Sequence, residues 1–264
     1  NDIELRRSST TSDMSTLRDS GVADFINNTA TFANVSHGTA FSTKYIFRTC
    51  LAFDLSGNDD DGASLSGNTV SAATLQIVTF ANLTGFVNYT AETGDQIYVV
   101  KATASSTFNL AGNYNDIDGW VSSGTYNGNV TQYGNANQAA NSTITINLNA
   151  TAISDINSAI SSGEIFKIAL LTEDEFLSST GTNNFGGIPG SSSLMHGIRF
   201  HTGEATSTSN RPKLGLTYSS VDLSDSVESV LGIDTDGSPD ITDEFEKVNL
   251  LSKSDIAKIN GIGG

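Results

Sequence analysis

The chain has 264 residues, is 37% apolar and only 16% charged, and carries a formal net charge of -16 at pH 7. That balance argues against nucleic acid, whose phosphates need clustered Lys and Arg, and against anionic membrane surfaces. No apolar run approaches the roughly 20 residues of a spanning helix, and a single cysteine, Cys50, excludes a disulfide within the chain.

Ser, Thr, Asn and Gly fill the space between the apolar and charged fractions, which suits short strands joined by many turns. Residues 1–24 are polar and mixed in charge, with no core pattern beyond Ile3 and Leu5, and are expected as an N-terminal arm or docking strand. The β-domain is expected over residues 25–220. Within it, Tyr45–Leu55 alternates most clearly. Tyr45, Phe47, Thr49, Leu51, Phe53 and Leu55 share a face that should lie on a core. Ile46, Arg48, Cys50, Ala52 and Asp54 share the other. Arg48 and Asp54 are too far apart to pair along one strand, so each should find its partner on a neighbouring strand or loop. Cys50 in mid-strand reads as a small buried hydrophobe.

Val70–Phe80 and Gln96–Lys101 are the next strands. Residues 103–142 form a long polar stretch holding Tyr114, Trp120, Tyr126 and Tyr133 among Gly and Asn. Long loops in compact domains are often functional, and aromatics exposed on them stack on sugar rings. The plainer reading has Trp120 capping the core. Thr143–Leu148 alternates again. Ile153, Ile156 and Ile160 then stand at helical spacing, with Gly163 as the stop. Ile165–Leu171 is nearly continuous apolar sequence, as for a strand buried on both faces. Glu173, Asp174 and Glu175 are expected as a solvated acidic loop. Ile198–His201 and Leu214–Tyr218 close the domain.

From residue 221 to 264 the alternation stops. Val227, Val230 and Leu231, and then Phe245, Val248 and Leu251, suggest short helices, and Ser252-Lys253-Ser254-Asp255 has capping form ahead of Ile256 and Ile259. Such helices form no core alone, so the segment reads as a helical appendix that docks on a neighbour. Its run Asp234-Thr235-Asp236-Gly237-Ser238-Pro239-Asp240-Ile241-Thr242-Asp243 matches an EF-hand-like calcium loop in part. Asp234, Asp236, Asp240 and Asp243 would be the oxygen ligands. Gly232 stands where the first acidic ligand belongs, and Asp243 replaces the usual Glu. The alternative is an acidic linker with a helix cap. His37, His196 and His201 have no metal-ligand spacing, and no Gly-x-Ser-x-Gly elbow is joined to a His and Asp set, so the sequence points away from an enzyme.

Four features fall in order along residues 45–218: Arg48-x-x-Leu51-x-Phe53-Asp54-Leu55, Val70-x-x-Ala73-x-Leu75, the strand–helix–strand of Ile144–Ile168, and Phe200-x-x-x-Glu204 with Arg211-Pro212-Lys213-Leu214. Together they resemble the DNRLRE domain family. The resemblance implies an all-β jelly-roll sandwich related to carbohydrate-binding modules, with one short helix. It also implies that Arg48, Asp54, Glu204 and Arg211 are structural ion-pair or loop-tying residues. At the ends, Ile3-Glu4-Leu5-Arg6-Arg7-Ser8-Ser9 resembles the opening of tail-fibre and other virion proteins of marine bacteriophages. Ser254-Asp255-Ile256-Ala257-Lys258-Ile259-Asn260-Gly261 is similar to segments near the ends of phage structural proteins. The expectation is a non-enzymatic virion subunit of a capsid, neck or tail, anchored by its termini to other subunits or to itself. The competing expectations are a glycan-binding module of a secreted or cell-surface protein, recognising polysaccharide through Trp120 and the loop tyrosines, and a surface-filament subunit.

Overall fold

The computed structural model describes residues 2–12, 14–40, 42–57, 64–80, 88–90, 95–104, 108, 111–119, 130–178 and 194–219. The chain divides after Ser219, and everything beyond lies outside the described residues.

The fold is an all-β sandwich of two sheets. The larger runs β6 (Asn88–Thr90), β11 (Leu194–His201), β3 (Phe32–Ala40), β4 (Thr43–Asp54), β10 (Ile165–Thr172), β7 (Gln96–Lys101) and β8 (Gln132–Asn137). Joined to it, β1 (Asp2–Ser9) pairs with β4, and β2 (Phe25–Asn27) pairs with β1. The smaller sheet runs β12 (Lys213–Ser219), β5 (Thr69–Val78) and β9 (Thr143–Asn147). All pairings are antiparallel among the described strands except that of β11 with β6. Three helices complete the described residues, α1 (Met14–Arg18), α2 (Ala150–Ser162) and α3 (Glu173–Ser178), together with 3-10 turns that include Ala111–Asn115.

Strand β4 is the hub. Its residues 44–47 pair with both β1 and β3, and its residues 49–51 with both β1 and β10. Strand β1 therefore occupies one edge of β4, and β3 and β10 follow one another along the opposite edge. Both faces of β4 meet apolar layers. Leu51 and Leu55 enter the core between the sheets, with Leu75, Ile77, Ile97, Val99, Ile146, Ile168 and Phe200. Ile46 and Cys50 enter a second core on the outer face of the large sheet, with Ile3, Leu5, Leu17, Val100, Phe108 and Leu171. Each such side chain taken from water contributes about 1.5–3 kcal/mol. Strand β10 is buried on both faces, as its continuous apolar run predicts.

Of the two roles expected for the N-terminal segment, the structure shows the strand and not the arm. Residues 2–9 form β1, paired along β4 inside the large sheet. Ile3 and Leu5 face the outer core. The alternate residues Asp2 and Glu4 are buried yet bonded: Gly203 N–H donates to Asp2 Oδ2. Asn34 donates to Glu4 Oε2 from its backbone N–H at 2.7 Å and from Nδ2 at 2.5 Å. Polar alternation that looks solvated in sequence is satisfied here inside the fold.

Helix α2 follows the predicted spacing. Asn149 caps it, accepting from Ala152 N–H at 3.0 Å, and Gly163 ends it at φ 67°, in the left-handed region that favours glycine. Asn157 locks the helix to β5 by bonding both backbone groups of Val70, at 2.8 and 3.0 Å. Ile156 and Ile160 reach the core between the sheets.

Candidate functional site

The densest polar constellation among the described residues centres on Arg48, whose side chain is wholly buried. Strand β4 turns it into the outer layer, one residue from the core-facing Thr49. Its Nε donates to Glu175 Oε1 at 2.5 Å. Its Nη1 donates to the Tyr114 carbonyl at 2.5 Å and to Asn115 Oδ1 at 2.9 Å. Its Nη2 donates to the Arg18 carbonyl at 2.8 Å. The guanidinium also lies 3.8 Å from the Tyr114 ring centroid. One side chain thus holds α1, the 3-10 turn and α3 onto the sheet. A planar fork with five donors suits this work better than a lysine point charge.

The acidic run after β10 is a correction to the sequence reading. Glu173, Asp174 and Glu175 form the first turn of α3, not a solvated loop. Glu173 accepts from Gln96 N–H at 2.9 Å, Asp174 lies 3.1 Å from His37 Nε2, and Glu175 holds Arg48. The helical turn sends three successive carboxylates to three partners, and Glu175 is fully buried.

His37 was legible only as an isolated histidine. Across the β3–β11 register it faces His196, with the rings stacked at 5.6 Å and 14°. Its Nδ1 lies 3.0 Å from Thr172 Oγ1. At 2% exposure the imidazole offers no approach to a substrate, so the arrangement ties strands together and does not present a base. Among the described residues, no group of three or more His, Cys, Asp or Glu side chains is placed to hold a metal ion.

The expected sugar-stacking residues separate. Tyr114 and Tyr133 are buried, and this corrects their placement on an exposed platform. Each has its apolar body in a core and its hydroxyl tied inward. Tyr114 donates to the Leu17 carbonyl at 3.3 Å, and Tyr133 donates to Asp155 Oδ2. Burial raises both phenols, and for Tyr133 the bond to the Asp155 carboxylate adds to it. Trp120 and Tyr126 lie outside the described residues, as do Asp234, Asp236, Asp240 and Asp243.

Of the residues expected in structural roles, Asp54 is exposed and has no bond to Arg48. Its Oδ1 accepts from Ser56 N–H at 2.9 Å and from Ser56 Oγ at 2.6 Å, which fixes the turn after β4 and lowers the carboxyl pKa. Arg211 ties its loop by donating from Nε to the Ala205 carbonyl at 3.0 Å. Glu204 is exposed, and its charge adds to the burial that raises the Asp2 carboxyl. Cys50 is buried and its thiol is pushed up to about 12 by that burial, against the pull of the Arg48 charge.

Sequence reasoning also missed a half-buried aromatic group where β3, β5 and β11 meet. The Phe80 and His201 ring centroids lie 4.0 Å apart, and the Arg199 guanidinium sits 3.2 Å over the Phe32 ring. These residues are far apart in sequence, and only the register of β3 with β11 and the bridge from Thr79 to Phe200 join them.

No protein-family model matches the chain, and no curated protein matches it.

Proposed function

We propose that the chain is a non-enzymatic structural subunit of a bacteriophage virion, a β-sandwich carried on a capsid, neck or tail. The observation that supports this reading is the inward commitment of the polar clusters. Arg48 with Glu175 and Glu4 with Asn34 sit under the surface, His37 is buried against a half-buried Asp174, and all three pairs hold secondary structure together. Such a chain has its buried chemistry devoted to rigidity. The resemblance of Ser254–Gly261 to phage structural proteins gives the setting. Because residues 2–9 are built into the sheet as β1, the proposed anchor is residues 220–264. Mass spectrometry of purified particles tests the reading. The chain should be found at a fixed ratio to the major capsid protein, and a virus lacking residues 220–264 should yield particles without it. Particles that never contain the chain overturn the proposal.

A second reading, glycan binding, is favoured by the half-buried group of Phe32, Phe80 and His201, whose rings have the character of a sugar-stacking surface. A glycan array should then give hits that fall with Phe80→Ala or Trp120→Ala. An array without hits overturns it.

A further inference from the structure

The large apolar side chains exposed among the described residues fall in one short stretch. Val22, Phe25 and Ile26 are 50%, 40% and 39% exposed. Phe25 and Ile26 belong to β2, which pairs with β1 and with no other described strand. An edge strand with unpaired backbone groups and apolar side chains is a template for another strand.

The charges around this edge differ from those of the chain as a whole. Arg6 pairs across from Phe25 and its guanidinium lies 4.5 Å from that ring. Arg7 donates to the Val22 carbonyl at 3.2 Å, and Lys44 lies opposite Ser9. The neighbouring carboxylates are already engaged: Asp24 accepts from Ser8 at 2.9 and 2.6 Å and lies 3.7 Å from Arg6 Nε, and Asp19 holds Arg18 at 2.6 Å. Beside the edge, a cavity of about 500 Å³ is lined by Arg7, by the hydroxyl residues Ser8, Ser9, Ser12, Thr16 and Ser20, and by Leu17 and Asp19, the last held by Arg18. Cationic and hydroxyl groups of this kind donate to carboxylates.

We propose that this edge docks the acidic segment following Ser219 of a second copy of the chain. Residues 220–264 hold ten carboxylates against three lysines, a net -7. Their first part, Val221-Asp222-Leu223-Ser224-Asp225-Ser226-Val227-Glu228, interleaves apolar residues with acids. Its apolar side chains match Val22, Phe25 and Ile26, and its carboxylates match Arg7 and Lys44, whose hydrogen bonds among the described residues go to backbone carbonyls and not to acids. A self-complementary pairing of β2 with β2 would instead bring the same arginines together. The contact joins two different surfaces, so it propagates from copy to copy into a ring or an open array. It deepens the assembly reading and rests on it for its setting, while purified protein tests it alone.

The experiment is light scattering on the purified full chain across a concentration series. The wild type should exceed monomer mass, and its dissociation constant should rise at least about tenfold between about 0.05 and about 0.5 M salt, because surface charge pairs are screened. Ile26→Asp should be monomeric with an unchanged circular dichroism spectrum. The full chain carrying Asp222→Asn, Asp225→Asn and Glu228→Gln should also be monomeric. These three positions follow the last described strand in sequence, so this variant decides the matter even if Ile26→Asp fails to fold. A wild type that stays monomeric at its solubility limit overturns the docking, including the case where the segment folds back on its own copy. Association that survives the triple neutralisation overturns the acidic segment as occupant. A monomeric chain still found in particles, or an associating chain absent from them, separates this proposal from the virion reading.

Discussion

Replacing Arg48 should be the most damaging single change in the outer layer. Arg48→Ala leaves the Glu175 carboxylate buried without its cation, and leaves the Arg18 and Tyr114 carbonyls without the donors that reach them. Removing one partner of a buried ion pair costs about 3–5 kcal/mol. A buried acceptor left without a donor adds about 1–3 kcal/mol. A loss of at least about 4 kcal/mol follows, a large share of the roughly 5–15 kcal/mol that holds a domain together. With a urea dependence of about 2 kcal/mol/M, the unfolding midpoint should fall by about 2 M. Arg48→Lys should keep the charge but lose the fork, and should cost about half as much. Glu175→Gln keeps an acceptor for Nε and removes only the countercharge, so it should cost about 2 kcal/mol. The double-mutant cycle between positions 48 and 175 should show coupling of at least about 2 kcal/mol. Urea titrations followed by circular dichroism give all of these values. An Arg48→Ala protein within about 1 kcal/mol of wild type, or an Arg48→Lys protein indistinguishable from it, refutes the latch.

Three further outcomes follow from the same structure. With its thiol pushed up to about 12, Cys50 stays protonated at pH 8 and should react with a disulfide reagent at least about a thousandfold more slowly in the folded chain than in urea. Burial raises the Glu4 carboxyl despite its bonds from Asn34, so its contribution to stability is full below the ordinary carboxylate range and is lost as pH rises through the raised value. Glu4→Gln should accordingly match or exceed wild-type stability at pH 7 and lose that advantage on acidification to pH 4; melting curves showing the opposite trend contradict the sign. Gly197 sits in β11 at φ 140°, where an added Cβ would lie only 2.6 Å from Ser36 Cα and closer still to the Val35 carbonyl. Gly197→Ala should destabilise by about 3 kcal/mol or more, measured by urea unfolding, and a neutral effect would contradict the close packing of β3 on β11.

Strands and helix were legible where apolar residues keep a period over several turns of chain. The β4 alternation, the β10 apolar run and the α2 spacing with Gly163 all appear in the fold. The outer layer was not legible, because its apolar members come from short, scattered pieces. Leu17, Tyr114 and Phe176 lie in elements too short to show a period, Phe108 lies in none, and they meet only once the sheet exists. The partners of Arg48 were hidden for the same reason. Glu175 is 127 residues away and sits in a run of acids that sequence alone assigns to solvent. The tyrosines misled in the opposite direction. A polar, Gly-rich neighbourhood suggests exposure, but Tyr133 lies on β8, where Ala136 and Phe166 pack with it in the core between the sheets.

The outer layer changes where this protein can meet anything else. A simple sandwich would leave the outside of its large sheet to solvent. Here that face carries a second core, fastened by Arg48 and closed by α1 and α3. A flat-sheet ligand surface is therefore closed on this side, whereas alternate residues of β12 and β9 in the smaller sheet are exposed. At β8 the two sheets come together: a Cβ at Gly134 would lie 2.5 Å from the Asn147 carbonyl of β9. At β2 the opposite holds, with exposed apolar side chains on a strand that has one described neighbour. The strand that carries this edge is β1, within the segment expected as an arm or docking strand. Building it into the sheet withdraws it as an anchor and makes it the support of a docking edge. The acidic segment proposed to dock on this edge follows Ser219 in sequence.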